Sequence, residues 1–83
     1  MKITVKYFAS IREALGQGSE VVQSSATTVG ALRDELMARS SVYADCLARQ
    51  RSVRAAIDQL MCDESAVLTE ACEVAYFPPV TGG

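Results

Sequence analysis

The two runs of this chain that read most plainly as β-strands stand at its opposite ends. At the front, residues 2–8 alternate, with Ile3, Val5 and Tyr7 on one face and Lys2, Thr4, Lys6 and Phe8 on the other, the period of a half-buried strand. At the back, Glu73 leads into Val74-Ala75-Tyr76-Phe77, an unbroken apolar run that reads as a buried strand. Pro78-Pro79 stop it, because proline has no N–H for a ladder and holds its predecessor extended. As the most apolar strands, these two belong at the centre of a sheet. If they are neighbours they run parallel, since a helix between them supplies the crossover.

That helix is legible in the sequence. Thr27 or Thr28 serves as its cap, and Val29, Leu32, Leu36 and Met37 fall at i, i+3, i+7 and i+8, one apolar stripe. Arg33, Asp34 and Arg39 are expected to face away, Glu35 and Arg39 to pair at i,i+4, and the helix to end near Ser40. Ser10-Ile11-Arg12-Glu13 matches a capping box, and Ile11, Ala14 and Leu15 predict one or two helical turns that Gly16 stops. After a turn at residues 16–19, residues 20–24 return as a short strand. From Ser41 to Ser52 the pattern is weak and predicts a surface loop with room for a helical turn at Tyr43, Cys46 and Leu47. Residues 53–58 and 59–62 read as further strands, with a turn at residues 63–65.

A hairpin, a helix and more strands imply an α+β fold with the helix on one face of the sheet. With the end strands central and parallel, the arrangement is a β-grasp: a mixed sheet covered by one main helix. Residues 1–83 are expected to form a single domain, of which residues 78–83 are an extended, flexible C-terminal Gly-Gly tail.

Composition narrows the function. Eighty-three residues, 49% of them hydrophobic, suffice for one domain that buries roughly 60% of its unfolded surface. A net charge of −2 argues against non-specific binding to nucleic acid or to an anionic membrane surface. No stretch has the length and apolarity of a membrane span, and the front lacks the pattern of a signal peptide, so a cytoplasmic protein is expected. Cys46, Cys62 and Cys72 are odd in number and far apart, and there is no histidine. A zinc site, a disulfide framework and a Ser-His or Cys-His nucleophile are thereby disfavoured. Such a chain suits a substrate or carrier better than a self-sufficient catalyst.

The last six residues are Pro78-Pro79-Val80-Thr81-Gly82-Gly83. A small, polar, disordered end is the ordinary reading of such a segment. A stiff proline pair abutting an aromatic strand is more than disorder requires, however, and no large side chain follows Val80. From Pro79 to Gly83 the arm reaches roughly 15–18 Å at ~3.3–3.6 Å per residue. Lacking Cβ atoms, Gly82 and Gly83 suit a narrow channel in a partner enzyme, which places the chemistry on the Gly83 α-carboxylate. A carboxylate is a poor electrophile until it is activated, for example as an acyl-adenylate, and nothing in this chain performs that step.

Three groups of residues carry a family likeness: Tyr7-Phe8-Ala9 with Arg12-Glu13, Thr28-Val29 with Leu32-Arg33, and the whole run from Glu73 to Gly83. Together they resemble the small, sulfur-carrying subunits of molybdopterin synthase, a ubiquitin-like family, over the full length of the chain. The likeness departs at Glu70-Ala71-Cys72, where members usually carry an acidic-Gly-acidic turn. The resemblance implies that an ATP-using, ubiquitin-activating-like adenylyltransferase adenylates Gly83 and that a sulfur donor protein converts it to a thiocarboxylate. Pro79, Val80, Thr81 and Gly82 would then thread into the large synthase subunit, in a heterotetramer of two small and two large subunits. There the sulfur would pass to cyclic pyranopterin monophosphate to build the molybdopterin dithiolene. The chain itself is expected to bind no cofactor and no metal, and the catalytic side chains belong to the large subunit.

By alternation Phe8 and Phe77 fall on the face opposite the buried residues, and with Met61 they are expected to form an exposed apolar patch beside the tail that binds the partner. The other reading is that they fill a second small core under residues 41–52. Arg49, Arg51 and Arg54 suit an acidic partner surface, although a solvated face explains them as simply. Cys72 is read as packing. The alternatives to a molybdopterin carrier are a sulfur carrier for thiamine or thiolated-tRNA synthesis, a ubiquitin-like modifier joined to lysines through Gly83, and an interaction module with an inert tail. The aromatic-Pro-Pro-Val-Thr-Gly-Gly ending favours the first.

Overall fold

Alternate burial along a strand needs a second layer to bury against, and the long helix supplies it. The computed structural model of the chain describes residues 1–79; the expectations for Val80, Thr81, Gly82 and Gly83 lie outside the described residues. Strand β1 (Lys2–Tyr7) sends Ile3, Val5 and Tyr7 into the core. Helix α1 (Ala9–Leu15) and strand β2 (Ser19–Gln23) follow, then helix α2 (Val29–Met37), helix α3 (Ser41–Cys46) and strands β3 (Arg54–Ile57), β4 (Leu60–Cys62) and β5 (Glu73–Phe77).

The strands form one sheet in the order β2-β1-β5-β3-β4. The pairing of β1 with β5 is parallel, with Val5 opposite Val74 and Tyr7 opposite Tyr76; the other ladders are antiparallel. The end strands are therefore central neighbours running the same way, as the sequence implies. Val29, Leu32 and Leu36 of α2 close over Ile3, Val5, Val74 and Tyr76 in one apolar cluster, where each fully buried aliphatic side chain contributes ~1.5–3 kcal/mol relative to exposure. The Tyr76 hydroxyl donates to the Val29 carbonyl at 2.8 Å, which satisfies the phenol and ties β5 to the start of α2. Thr28 caps that helix by accepting from the Ala31 amide at 3.1 Å.

Several local expectations are corrected. Ser10 does not cap α1. The Phe8 amide still donates to Tyr76 O at 3.3 Å, so strand pairing holds Phe8 extended and makes it the cap residue, with no side-chain cap bond. The chain then turns sharply at Ala9 (φ 52), and Ser10 is already inside the helix. Gly16 does end α1, at φ 75, donating its amide to Arg12 O.

Helix α2 ends at Met37 with Ala38 as cap, short of Ser40. Arg39 thus leaves the helix before it can pair with Glu35; it bonds Glu20 at 2.7 Å, while Glu35 accepts from the Ser24 hydroxyl. Arg33 does not face away. It is 3% exposed, because residues 47–51 pack across α2 on its side. Residues 41–52 hold a true helix, α3, whose cap Ser40 accepts from the Tyr43 amide. Helix α3 packs against both α2 and α1.

The β3–β4 hairpin turns on Asp58 and Gln59, both at positive φ (48 and 72), as a two-residue loop of mirror-image type requires.

Candidate functional site

The site is built by the end of the sheet from which β5 departs. Because β5 lies between β1 and β3, the chain leaves the middle of the sheet, and Pro79 stands exposed past its rim. Pairing by register shows what borders this exit on the face away from α2. Lys6, Ala75, Ala56 and Met61 form one row across four strands, and Phe77 lies opposite Arg54 in the next. Phe8 continues β1 into that same end row.

The structure brings Phe8 and Phe77 together. Their rings meet edge to face, with centroids 6.4 Å apart and planes at 84°, a favoured aromatic geometry. Phe8 is 46% exposed and Met61 56% exposed, whereas Phe77 is half-buried rather than exposed as expected, because Phe8 and Arg54 stand beside it. Met61 shares the face but stands on the edge strand, separated from Phe77 by Ala75 and Ala56. Neither phenylalanine joins the core cluster. Residues 41–52, the alternative cover for them, pack on the helix side instead, where Cys46 and Leu47 enter the core. The three residues expected as a patch therefore form an aromatic pair and an outlying methionine on one open face.

Behind the exit, on the helix side, an open cleft of about 270 Å3 lies between α1 and α3, lined by Ile11, Ala14, Val42, Val53, Pro78 and Pro79 among others. The tail base thus borders the aromatic pair on one face and, on the other, a cleft of mixed lining that also includes Ser10, Asp45 and Arg51.

Cys46 and Cys72 are buried and Cys62 partly so, all unpaired. Burial pushes the Cys46 and Cys62 thiols up, with the Asp63 charge adding to the effect at Cys62, which lowers their thiolate fraction at neutral pH. Burial likewise pushes the Tyr7 and Tyr76 phenols up, so both stay protonated as hydrogen-bond donors.

Two polar clusters missed by sequence reasoning fix the mount. Glu20 accepts from Tyr7 at 2.7 Å, Tyr43 at 2.8 Å and Arg39 at 2.7 Å, clasping β2 to α3. Arg33 donates to the backbone oxygens of Leu47 and Ala48, each at 2.7 Å, and pairs with Glu64. Glu64 is shared with Arg49, which also holds Asp34. Arg33 sits at i+4 from Val29, so the pattern 29, 32, 33, 36 is a wider inward face than the hydrophobic residues alone mark. Arg49 is thereby committed within the fold, whereas Arg51 and Arg54 are exposed.

A mixed five-stranded sheet around one principal helix, its central strand running out through two prolines, defines a ubiquitin-like β-grasp protein. The small archaeal modifier SAMP1 of Haloferax volcanii superposes on it with a TM-score of 0.78 over the whole of both chains at 22% identity. Residues 5–83 match the ThiS family, and the chain belongs to that family. Among its relatives, the molybdopterin synthase sulfur carrier subunit of Escherichia coli K12 is 40% identical over 81 residues, covering 98% of this chain and 99% of the relative. The protein of the same name from Mycobacterium tuberculosis is 35% identical over 85 residues, covering 100% and 99%. The fold is also that of a chain in the complex of subunits 1 and 2 of the molybdopterin-converting factor of Helicobacter pylori, with a TM-score of 0.69 at 19% identity over the whole of both chains. No helix among the described residues is long and apolar enough to cross a membrane.

Proposed function

We propose that this chain is the sulfur carrier subunit of molybdopterin synthase and that it acts through the carboxylate of Gly83. The observation that carries the reading is identity of 35–40%, end to end, with proteins of that name. The geometry supports it: the central strand ends at Phe77 and Pro79 stands exposed past the sheet, and two of the three thiols are buried.

In this reading an activating enzyme uses ATP to join Gly83 to adenylate, expelling pyrophosphate, and a sulfur donor protein displaces the adenylate to leave a thiocarboxylate. Pro79, Val80, Thr81 and Gly82 then carry the sulfur into the large subunit, which supplies the catalytic side chains. Phe8, Phe77 and Met61 dock that subunit, in an assembly of two small and two large chains in the cytoplasm. Cyclic pyranopterin monophosphate takes one sulfur from each of two carrier chains as its dithiolene forms, and water restores each Gly83 to a carboxylate. The likeness to SAMP1 is one of fold alone and gives the modifier reading no separate support.

The reading requires a free Gly83. Deleting Gly83, or extending the chain beyond it with a tag, is expected to abolish sulfur transfer while circular dichroism stays native. Full transfer by a tagged chain would contradict it.

A further inference from the structure

Four basic residues have no carboxylate partner among the described residues, Lys2, Arg12, Arg51 and Arg54, and of these Arg54 alone stands in the sheet row of Phe77. It lies opposite Phe77 in the β3–β5 ladder, in the same end row as the Phe8–Phe77 pair, with Cβ atoms of such partners ~4.5–5.5 Å apart. Lys6, one row back, is answered within the fold by Glu73 at 3.5 Å. Arg33, Arg39 and Arg49 are each held by a carboxylate. Among the described residues no carboxylate pairs with Arg54, and its side chain is exposed.

A partner that covers Phe8 and Phe77 also strips water from the guanidinium beside them. A charge desolvated without a counter-charge opposes binding strongly. The planar guanidinium fork is matched in two hydrogen bonds by a carboxylate. We propose that Arg54 is the specificity-determining cation of this face and takes a carboxylate of the large subunit, presented next to the apolar surface that covers Phe8 and Phe77. The proposal rests on the docking role given to this face above. Apolar contact alone accepts many surfaces; one cation at the edge of the aromatic pair rejects those that bring no acidic group, or a basic one, to that point.

The test is the affinity of the full chain for the large subunit of molybdopterin synthase from the same source, measured with R54E, R54L, R54K and F77D. R54E is expected to bind roughly tenfold to a hundredfold more weakly, by loss of the pair and repulsion of the partner's carboxylate. R54L should also bind more weakly than wild type, and R54K should fall between wild type and R54L, keeping the charge but losing the fork. Raising the salt concentration should narrow the gap between R54E and wild type. Changing one acidic residue of the large subunit to lysine should restore binding to R54E. Should R54E not fold, R54Q carries the same comparison. Binding by R54E within twofold of wild type while F77D is weakened would overturn the role of Arg54 and leave the docking face standing. Binding by R54L as tight as wild type would overturn it too. Failure of the wild-type chain to bind at all would remove the docking reading and this proposal with it.

Discussion

The rings of Phe8 and Phe77 meet edge to face at 6.4 Å, joining the last residue of β5 to the cap of α1 at the point where the tail leaves the sheet. Phe8 is held there by its backbone bond to Tyr76 O, so the exposed Phe8 ring and the half-buried Phe77 ring are fixed in place outside the core. In the proposed function this contact is the part of the surface that meets the large subunit. Replacing Phe8 with Asp is expected to weaken binding to the large subunit by ~2 kcal/mol or more, read by calorimetry alongside circular dichroism. Unchanged affinity in a folded variant would return the pair to a purely local role.

Ala71 sits at φ 65, a left-handed conformation that costs an L-residue roughly 1–2 kcal/mol. It stays there because its amide donates to Lys2 O at 3.0 Å while the neighbouring Glu70 carboxylate accepts from the Lys2 amide at 2.7 Å, pinning the approach to β5. This is the position at which related sequences were expected to carry glycine. Ala71→Gly relieves the strain but gives up ~0.4–1 kcal/mol through the freer unfolded chain. The net expectation is a stabilisation of ~0.5–1 kcal/mol, or a rise in Tm of roughly 2–8 °C. A fall in Tm on thermal unfolding would contradict it.

Glu20 is the acidic hub between β2 and α3. Burial alone would raise its pKa, but the hydrogen bonds from Arg39, Tyr7 and Tyr43 outweigh burial and hold it below its ordinary value of 4.5. A carboxyl group depressed in the folded state stabilises the fold above its unfolded value, and that contribution is lost as pH falls through the folded value. Glu20→Gln is therefore expected to cost ~1–2 kcal/mol at neutral pH. The difference from wild type should shrink as denaturant titrations move below pH 4.5. A difference that does not change with pH would mean that the charge on Glu20 is not what holds the cluster.

Where one periodicity decides, the sequence was enough. Ile3, Val5 and Tyr7 alternate, Val29, Leu32 and Leu36 repeat, and two apolar end strands with a helix between them admit little besides a parallel central pair. The departures arise where a distant backbone group outweighs a local signal. Ser10 is a good cap by composition, yet Tyr76 O captures the Phe8 amide and the helix starts nearer the N-terminus, with Phe8 as its cap. Arg33 reads as a solvated residue until residues 47–51 bring three carbonyl groups to its guanidinium. Glu35 and Arg39 suit each other on an unbroken helix, but the helix stops at Met37. At the site, alternation placed Phe8 and Phe77 on the open face. It did not show that they touch, nor that Met61 stands two strands away.

The central claim is that Gly83 carries sulfur, and intact mass tests it most directly. After incubation with activating enzyme, ATP and sulfur donor, the chain should gain the difference between one sulfur and one oxygen, and peptide mapping should place that exchange at Gly83. Addition of the large subunit and cyclic pyranopterin monophosphate should then return the mass to its starting value as dithiolene forms. A mass that never changes while a ladder of larger conjugates accumulates would contradict the account and make the chain a modifier.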